Sequence, residues 1–184
     1  MSTVLLLLLI GLPLLVLLAY FLFGSFLYGA GYQPTPPEVA RRMIEFGDVQ
    51  RDDHVLDLGA GTGALLFLAA RSKGATVTGV EAEPLRYLFL KIRKALSSVG
   101  GQVSLVWGDL FAQDLSEATV LVMFLWPGAM ARLKVKFESE LTEGVRVVSY
   151  WHPLPGVQPD RVDEKLKVYL YVWKGAAQRK GSAD

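Results

Sequence analysis

The chain of 184 residues contains no cysteine. Disulfides, thiolate metal sites and a cysteine nucleophile are thereby excluded. Two histidines, His54 and His152, are too few for a histidine-rich metal centre. No sign of charge dominates: 19 basic against 18 acidic side chains leave a net +1. That balance lacks the basic field of a dedicated nucleic-acid binder, so no nucleic-acid partner is expected. The most local absence is at the start, where no charged residue occurs from Val4 to Tyr28.

What fills that start is leucine. Residues 4–10, 14–18 and 21–23 are almost wholly aliphatic or aromatic. A helix rising 1.5 Å per residue covers the roughly 30 Å hydrocarbon core of a bilayer over this length. Tyr20, Tyr28 and Tyr32 suit the interface, and Pro13 is tolerable in a membrane helix. A secretory signal peptide fits less well. Met1-Ser2-Thr3 carries no basic residue, the apolar run is long, and no clean cleavage site follows. The reading is one transmembrane anchor over residues 1–30. Arg41 and Arg42 then place the remainder on the cytoplasmic side of a single-pass protein. Residues 31–174 make one domain, and the small, polar stretch 175–184 makes a frayed tail.

The domain is organised around Val55-Leu56-Asp57-Leu58-Gly59-Ala60-Gly61-Thr62-Gly63-Ala64. A short apolar run, a glycine loop and an apolar helix from Ala64 follow one another, and this series makes a nucleotide-cofactor site. Upstream, Thr35-Pro36-Pro37-Glu38 fits a capping box with Thr35 as N-cap and a helix over Pro36–Phe46. Tyr32 to Thr35 then forms either a lid over the cofactor or the entry to an edge helix. Downstream, strands are predicted over 75–81, 103–107, 119–125, 144–150 and 166–173. Helices are predicted from Pro84 to about Val99 and over 129–141. Pro153, Pro155, Gly156 and Pro159 mark a loop. Glu83 beside Pro84 reads as a helix cap, and His54 as structural. The order predicts an α/β fold: a doubly wound, mostly parallel, Rossmann-like sheet of the seven-stranded type, with a terminal hairpin or antiparallel strand. Ligands of such sheets lie at the carboxyl ends of the strands, where Asp57, Gly59, Glu81, Asp109 and Trp126 all fall.

Gly59, Gly61 and Ala64 also spell a tolerated dinucleotide fingerprint. Asp57, two residues before the first glycine, argues against a nicotinamide cofactor, because a carboxylate there faces a negative pyrophosphate. Glu81 stands 22 positions beyond Gly59, where a carboxylate meets ribose hydroxyls, and Asp109 ends the third strand. Three carboxylates and a glycine loop suit a cationic adenosyl ligand.

This set, Asp57 to Gly63 with Glu81 and Gly108-Asp109, resembles class I S-adenosylmethionine-dependent methyltransferases. The resemblance implies S-adenosylmethionine as cofactor. Gly59, Ala60, Gly61 and Gly63 would pack on its methionine part with Asp57, Glu81 would bind the ribose, Asp109 the adenine, and Thr35 would join the cofactor site. Three further stretches, residues 32–36, residues 124–130 with 133–141, and residues 153–155, are similar to a narrower group. These are the protein-lysine methyltransferases of the adenine nucleotide translocase and the ATP synthase c-subunit, with their small prokaryotic relatives. That resemblance implies methyl transfer to a lysine amine of a protein, including membrane proteins. The chain departs from the group at Thr62, Ala64 and Gly156.

A lysine with an unperturbed pKa of about 10.4 must lose its proton before it can react, and an apolar pocket favours that loss. Phe124, Trp126 and Pro127 are the expected pocket wall, with Tyr32 closing it; Trp126, Pro127 and Tyr32 are thus the candidate catalytic residues. His152 is the one candidate base, and a loop histidine beside a proline is more often structural. A lipid or quinone-like methyl acceptor and a non-catalytic cofactor binder are the alternatives. Replacement Glu81→Ala is expected to weaken S-adenosylmethionine binding markedly by titration calorimetry, and near-unchanged affinity would refute the ribose role.

Overall fold

The computed structural model describes residues 3–23 and 33–175. Tyr32 and the tail beyond residue 175 lie outside the described residues. The chain divides into two units, residues 1–33 and 34–184.

The first unit holds α1 (Thr3–Phe23), a helix with Pro13 inside it. Its leucines from Leu7 to Leu18 are each more than half exposed, so among the described side chains no face of this helix is buried. Among the described residues no helix is long and apolar enough to cross a membrane. The expected transmembrane anchor is therefore not established by the described residues.

The second unit contains α2 (Pro37–Phe46), β1 (His54–Leu58), α3 (Ala64–Lys73), β2 (Thr76–Glu81), α4 (Pro84–Leu96), β3 (Val103–Trp107), β4 (Val120–Met123), α5 (Pro127–Glu140), β5 (Arg146–Tyr150), β6 (Arg161–Asp163) and β7 (Val168–Val172). The seven strands form one sheet in the order β3-β2-β1-β4-β5-β7-β6. The first five are parallel, and β7 runs antiparallel to both β5 and β6. This is the expected α/β sheet with its terminal hairpin. Chain order reverses direction between β1 and β4, which is the switch point where such sheets bind ligands.

Two cores sandwich the sheet. Met43, Ile44, Leu66, Phe67 and Leu90 bring α2, α3 and α4 to one face. Met130, Leu133 and Phe137 bring α5 to the other. At the amino ends of the strands, Asp53 collects Gln50 N–H at 2.7 Å, Thr119 Oγ1 at 2.6 Å and the Arg146 guanidinium, locking β1, β4 and β5 together. His54 is structural, as expected, with its ring against Thr78 Oγ1 and the Glu117 carbonyl. The hairpin is tied to α2 by the Arg42–Asp163 ion pair at 2.7 Å.

Two sequence expectations need correction. The capping box does not form: α2 begins at Pro37, its N-cap is Pro36, and no side chain caps it. A residue preceding proline is driven out of the helical region, and Pro36 sits at φ −57°, ψ 144°, before Pro37. Thr35 is thus one residue too early to cap. Helix α4 stops at Leu96 instead of Val99, because Ser97 Oγ accepts the Val99 N–H at 3.3 Å and competes with the helix.

Phe137 is fully buried and meets Trp173 edge-on at 5.9 Å, joining α5 to the end of the sheet. Replacement Phe137→Ala is expected to cost about 3–5 kcal/mol. Denaturant unfolding measures this, and an unchanged midpoint would show that α5 is not part of the cooperative core.

Candidate active site

Strand register builds the site. Leu58 pairs with Val80 and with Met123, and Glu81 pairs with Trp107, so the carboxyl ends of β1 to β4 are level. Asp57, the glycine loop, Glu81, Asp109 and Trp126 therefore share one edge of the sheet.

The loop after β1 turns through positive φ at Gly59 (+87°), Gly61 (+56°) and Gly63 (+81°). At Gly63 a Cβ would lie 2.8 Å from the Phe67 and Leu90 side chains, so torsion and space both require glycine. The Gly59 and Ala60 N–H groups donate to the Val80 carbonyl, and Gly63 N–H donates to the Ala60 carbonyl. Gly61 N–H donates to Glu81 Oε2 at 2.7 Å, while Glu83 N–H donates to Oε1 at 2.9 Å. Glu81 thus ties the loop to β2, and each of its oxygens keeps a second acceptor position for a hydroxyl. Arg93 of α4 donates to the Thr62 carbonyl in this loop.

Asp57 is buried beneath this loop. Burial, then the negative charge of Glu81, raise its pKa to about 7, against the lowering effect of the Leu66 N–H in the first turn of α3. Glu81 is also raised, first by burial, against its two backbone donors. Glu83 caps α4 through the Leu85 and Arg86 N–H groups, in keeping with its place before Pro84. It also forms a fully buried ion pair with Arg86 at 3.5 Å, a contact without a signal in the sequence. Asp109 is exposed, and its Oδ1 accepts the Phe111 N–H at 2.9 Å. Thr35 is half-buried in the coil before α2.

Trp126 is the N-cap of α5, with Pro127 in its first turn. It is 49% exposed and stacks on His152 with ring centroids 6.3 Å apart. Phe124 and Tyr150 are in ring contact at 4.4 Å, and Tyr150 meets Trp151 at 6.0 Å. An aromatic group drawn from the ends of β4 and β5 thus continues the site. Tyr150 and Trp151 are not among the residues that the sequence singles out, although the end of a fifth parallel strand belongs to the same edge. Trp151 adopts φ +69°, a strained torsion for a bulky residue, held by its N–H to the Lys167 carbonyl at 2.8 Å. Among the described residues no cluster of histidine and carboxylate side chains is arranged to hold a metal ion.

The chemistry of the donors tests the cofactor. Two buried carboxylates side by side disfavour each other's charge, and a ligand bearing an ammonium and a sulfonium relieves that repulsion. An anionic pyrophosphate would worsen it. The residues fit S-adenosylmethionine. Fold and site together define an S-adenosylmethionine-dependent methyltransferase.

The comparisons with known proteins agree. The family model for the ANTKMT methyltransferase domain matches residues 57–161. A protein-lysine N-methyltransferase of Saccharolobus islandicus is 39% identical over 77% of this chain and 92% of its own length. The human lysine N-methyltransferase of the ATP synthase c-subunit is 31% identical over 61% of this chain and 48% of its own length, so this chain spans about half of it. Among solved structures, an RNA methyltransferase from Salinibacter ruber in complex with S-adenosyl-L-homocysteine aligns with a TM-score of 0.75 and 35% identity, over 77% of this chain and 94% of that one. The chain belongs to the ANTKMT methyltransferase family.

Asp57 yields a prediction with a defined sign. Its folded pKa of about 7 lies above the ordinary carboxylate value of 3.8, so the folded protein holds the extra proton between those limits. Stability therefore falls as pH rises from about 4 to about 7, then levels off. Replacement Asp57→Asn is expected to stabilise the ligand-free protein at pH 8, on the order of 2–4 kcal/mol, with no gain below about pH 4. Wild-type affinity for S-adenosylmethionine should rise from about pH 6 to 8, and the variant's affinity should be weaker and rise less over that range. Thermal unfolding and titration across pH measure both, and a pH-independent wild-type affinity would refute the assignment.

Proposed function

We propose that the chain is a protein-lysine N-methyltransferase that works at a membrane surface, anchored by α1 as a single-pass protein with its domain on the cytoplasmic side. The observation that carries the lysine reading is the aromatic group of Phe124, Trp126, Tyr150, Trp151 and His152 beside the cofactor edge. The names of the Saccharolobus and human relatives support it. The anchor is supported by the uncharged run from Val4 to Tyr28 and by the apolar residues on all sides of α1.

S-adenosylmethionine, when bound, supplies an electrophilic methyl group. The protein's part is to bring a neutral amine into line with it and to exclude water. Trp126 and Phe124 present apolar rings, which disfavour the lysine ammonium and release its proton to solvent before transfer. Transfer would form the N–C bond as the S–C bond breaks and would give a methylammonium that keeps its protons in water, so the proton lost before transfer is the one released. His152 touches Trp126 and orients it. The name of the Salinibacter structure raises an RNA acceptor as the second reading, which the balance of 19 basic and 18 acidic residues opposes.

The test incubates the full chain with cofactor carrying a labelled methyl group and with a membrane fraction. Label in a protein band, lost when one lysine of that protein is replaced, is the expected result; label confined to RNA or to the lipid extract would overturn the proposal. Replacement Trp126→Ala is expected to lower kcat about 100-fold, the scale of a misplaced reactant, while calorimetry shows cofactor affinity unchanged. Equal loss of both would place Trp126 in the cofactor site instead.

A further inference from the structure

Helix α4 carries its apolar residues on the wrong side for a sheet-covering helix. Only Arg86 and Leu90 are buried. Leu88, Phe89, Ile92 and Leu96 are exposed by 52%, 45%, 53% and 83%. At about 100° per residue these four fall within one arc of about 100°, opposite Leu90. Lys91 borders the arc on one side and Arg93 on the other, and no acidic residue occurs from Pro84 to Val99. An apolar stripe flanked by cations is the pattern of a helix lying in a membrane interface.

A second observation stands beside Arg93. A groove of about 240 Å³ between α2, α3 and α4 is lined by Arg41, Arg71 and Arg93 and contains no carboxylate. Among the described residues neither Arg41 nor Arg71 makes an ion pair. Among the described residues Arg93 reaches the Thr62 carbonyl and the Phe67 ring, whose centroid is 4.5 Å away. Burial and the nearby Arg71 hold Arg93 below the usual guanidinium pKa, as expected of cations crowded without an anion. Three arginines around one concavity suit a phosphate group.

We infer that the outer face of α4 docks on an anionic phospholipid bilayer, with the apolar stripe entering the acyl boundary and the three-arginine groove receiving lipid phosphates. The inference deepens the membrane reading above and rests on it for the presence of a bilayer. A lipid surface is the occupant because it alone offers both chemistries over a wide plane, whereas a second copy of α4 would bring cations against cations. The docked face includes the side chain that holds the Thr62 carbonyl, so lipid contact reaches the cofactor loop through Arg93.

The chain has no cysteine, so Leu96→Cys gives a single thiol on the stripe for an environment-sensitive fluorophore, and Ser139→Cys on α5 gives the control. Each full-length labelled protein is reconstituted on phosphatidylcholine vesicles with and without phosphatidylglycerol, and flotation reports association. The expected result is a blue shift and protection from an aqueous quencher at position 96, only with phosphatidylglycerol, and no change at 139. Arg41→Gln with Arg71→Gln is expected to reduce the docking equilibrium about 25-fold, at roughly five-fold per basic side chain near an anionic surface. A label at 96 that stays in water while the chain floats would overturn the docking face and leave the anchor standing. A chain that does not float with either vesicle would overturn both. A blue shift that needs no vesicles and grows with protein concentration would assign the face to a second copy.

Discussion

Two carboxylates that do not want to be charged together govern this molecule. Asp57 and Glu81 lie at the ends of adjacent parallel strands, beneath a loop whose torsions suit glycine. Burial raises the pKa of both. The fold counters that at Glu81 with backbone donors from Gly61 and Glu83, and at Asp57 with the first turn of α3. The same hydrogen bonds set the loop's shape. Electrostatics and loop geometry are therefore one feature, held by Glu81 and short of positive charge at Asp57. A cationic cofactor supplies what the protein leaves out, which is why a carboxylate before the glycines separates this site from a dinucleotide site of similar outline.

The order of the strands gives that feature its neighbours. Because β4 follows β1 across the switch point and β5 follows β4, the aromatic residues after β4 and β5 stand on the same edge as the acidic pair. The polar half of the site comes from the first half of the domain, and the apolar half from the second. Trp151 shows how tightly the second half is specified: its strained torsion persists because the hairpin supplies the Lys167 carbonyl. The arrangement requires β7 to run antiparallel beside β5, so the short terminal hairpin contributes to the site without placing a carboxylate in it.

Much of this is legible in the residues. Periodicity and glycine position reveal the strands and their order, and Asp57, Glu81 and Trp126 follow from the rule that strand ends bind ligands. What stays hidden depends on contacts between distant segments or on competition at a single residue. Thr35 reads as a cap until the conformational effect of Pro37 on Pro36 is counted. The three residues of β6 are too few to show a period. Arg93 reads as an ordinary helix cation and turns out to hold the glycine loop, and Glu83 reads correctly as a cap while its buried partner Arg86 does not show. His152, which reads as a loop histidine, stands against Trp126 because two strand ends meet there.

Helix α4 is where local pattern and fold disagree, and the disagreement is informative. An amphipathic helix on a sheet normally buries its apolar side, which for a leucine contributes about 1.5–3 kcal/mol. Helix α4 buries Leu90 and an arginine paired to Glu83, and leaves four large apolar residues in water. A chain selected only for stability would turn this helix over, with a leucine where Arg86 stands. The Arg86–Glu83 pair prevents that, since rotating the helix would carry a buried guanidinium away from its carboxylate. The ion pair is thus a register device: it fixes which side of α4 faces outward. Glu83 lies two residues beyond Glu81, and its N–H is one of the two backbone donors that hold the Glu81 carboxylate. Glu83, which pairs with the buried Arg86 of α4, is therefore also a residue that shapes the cofactor edge.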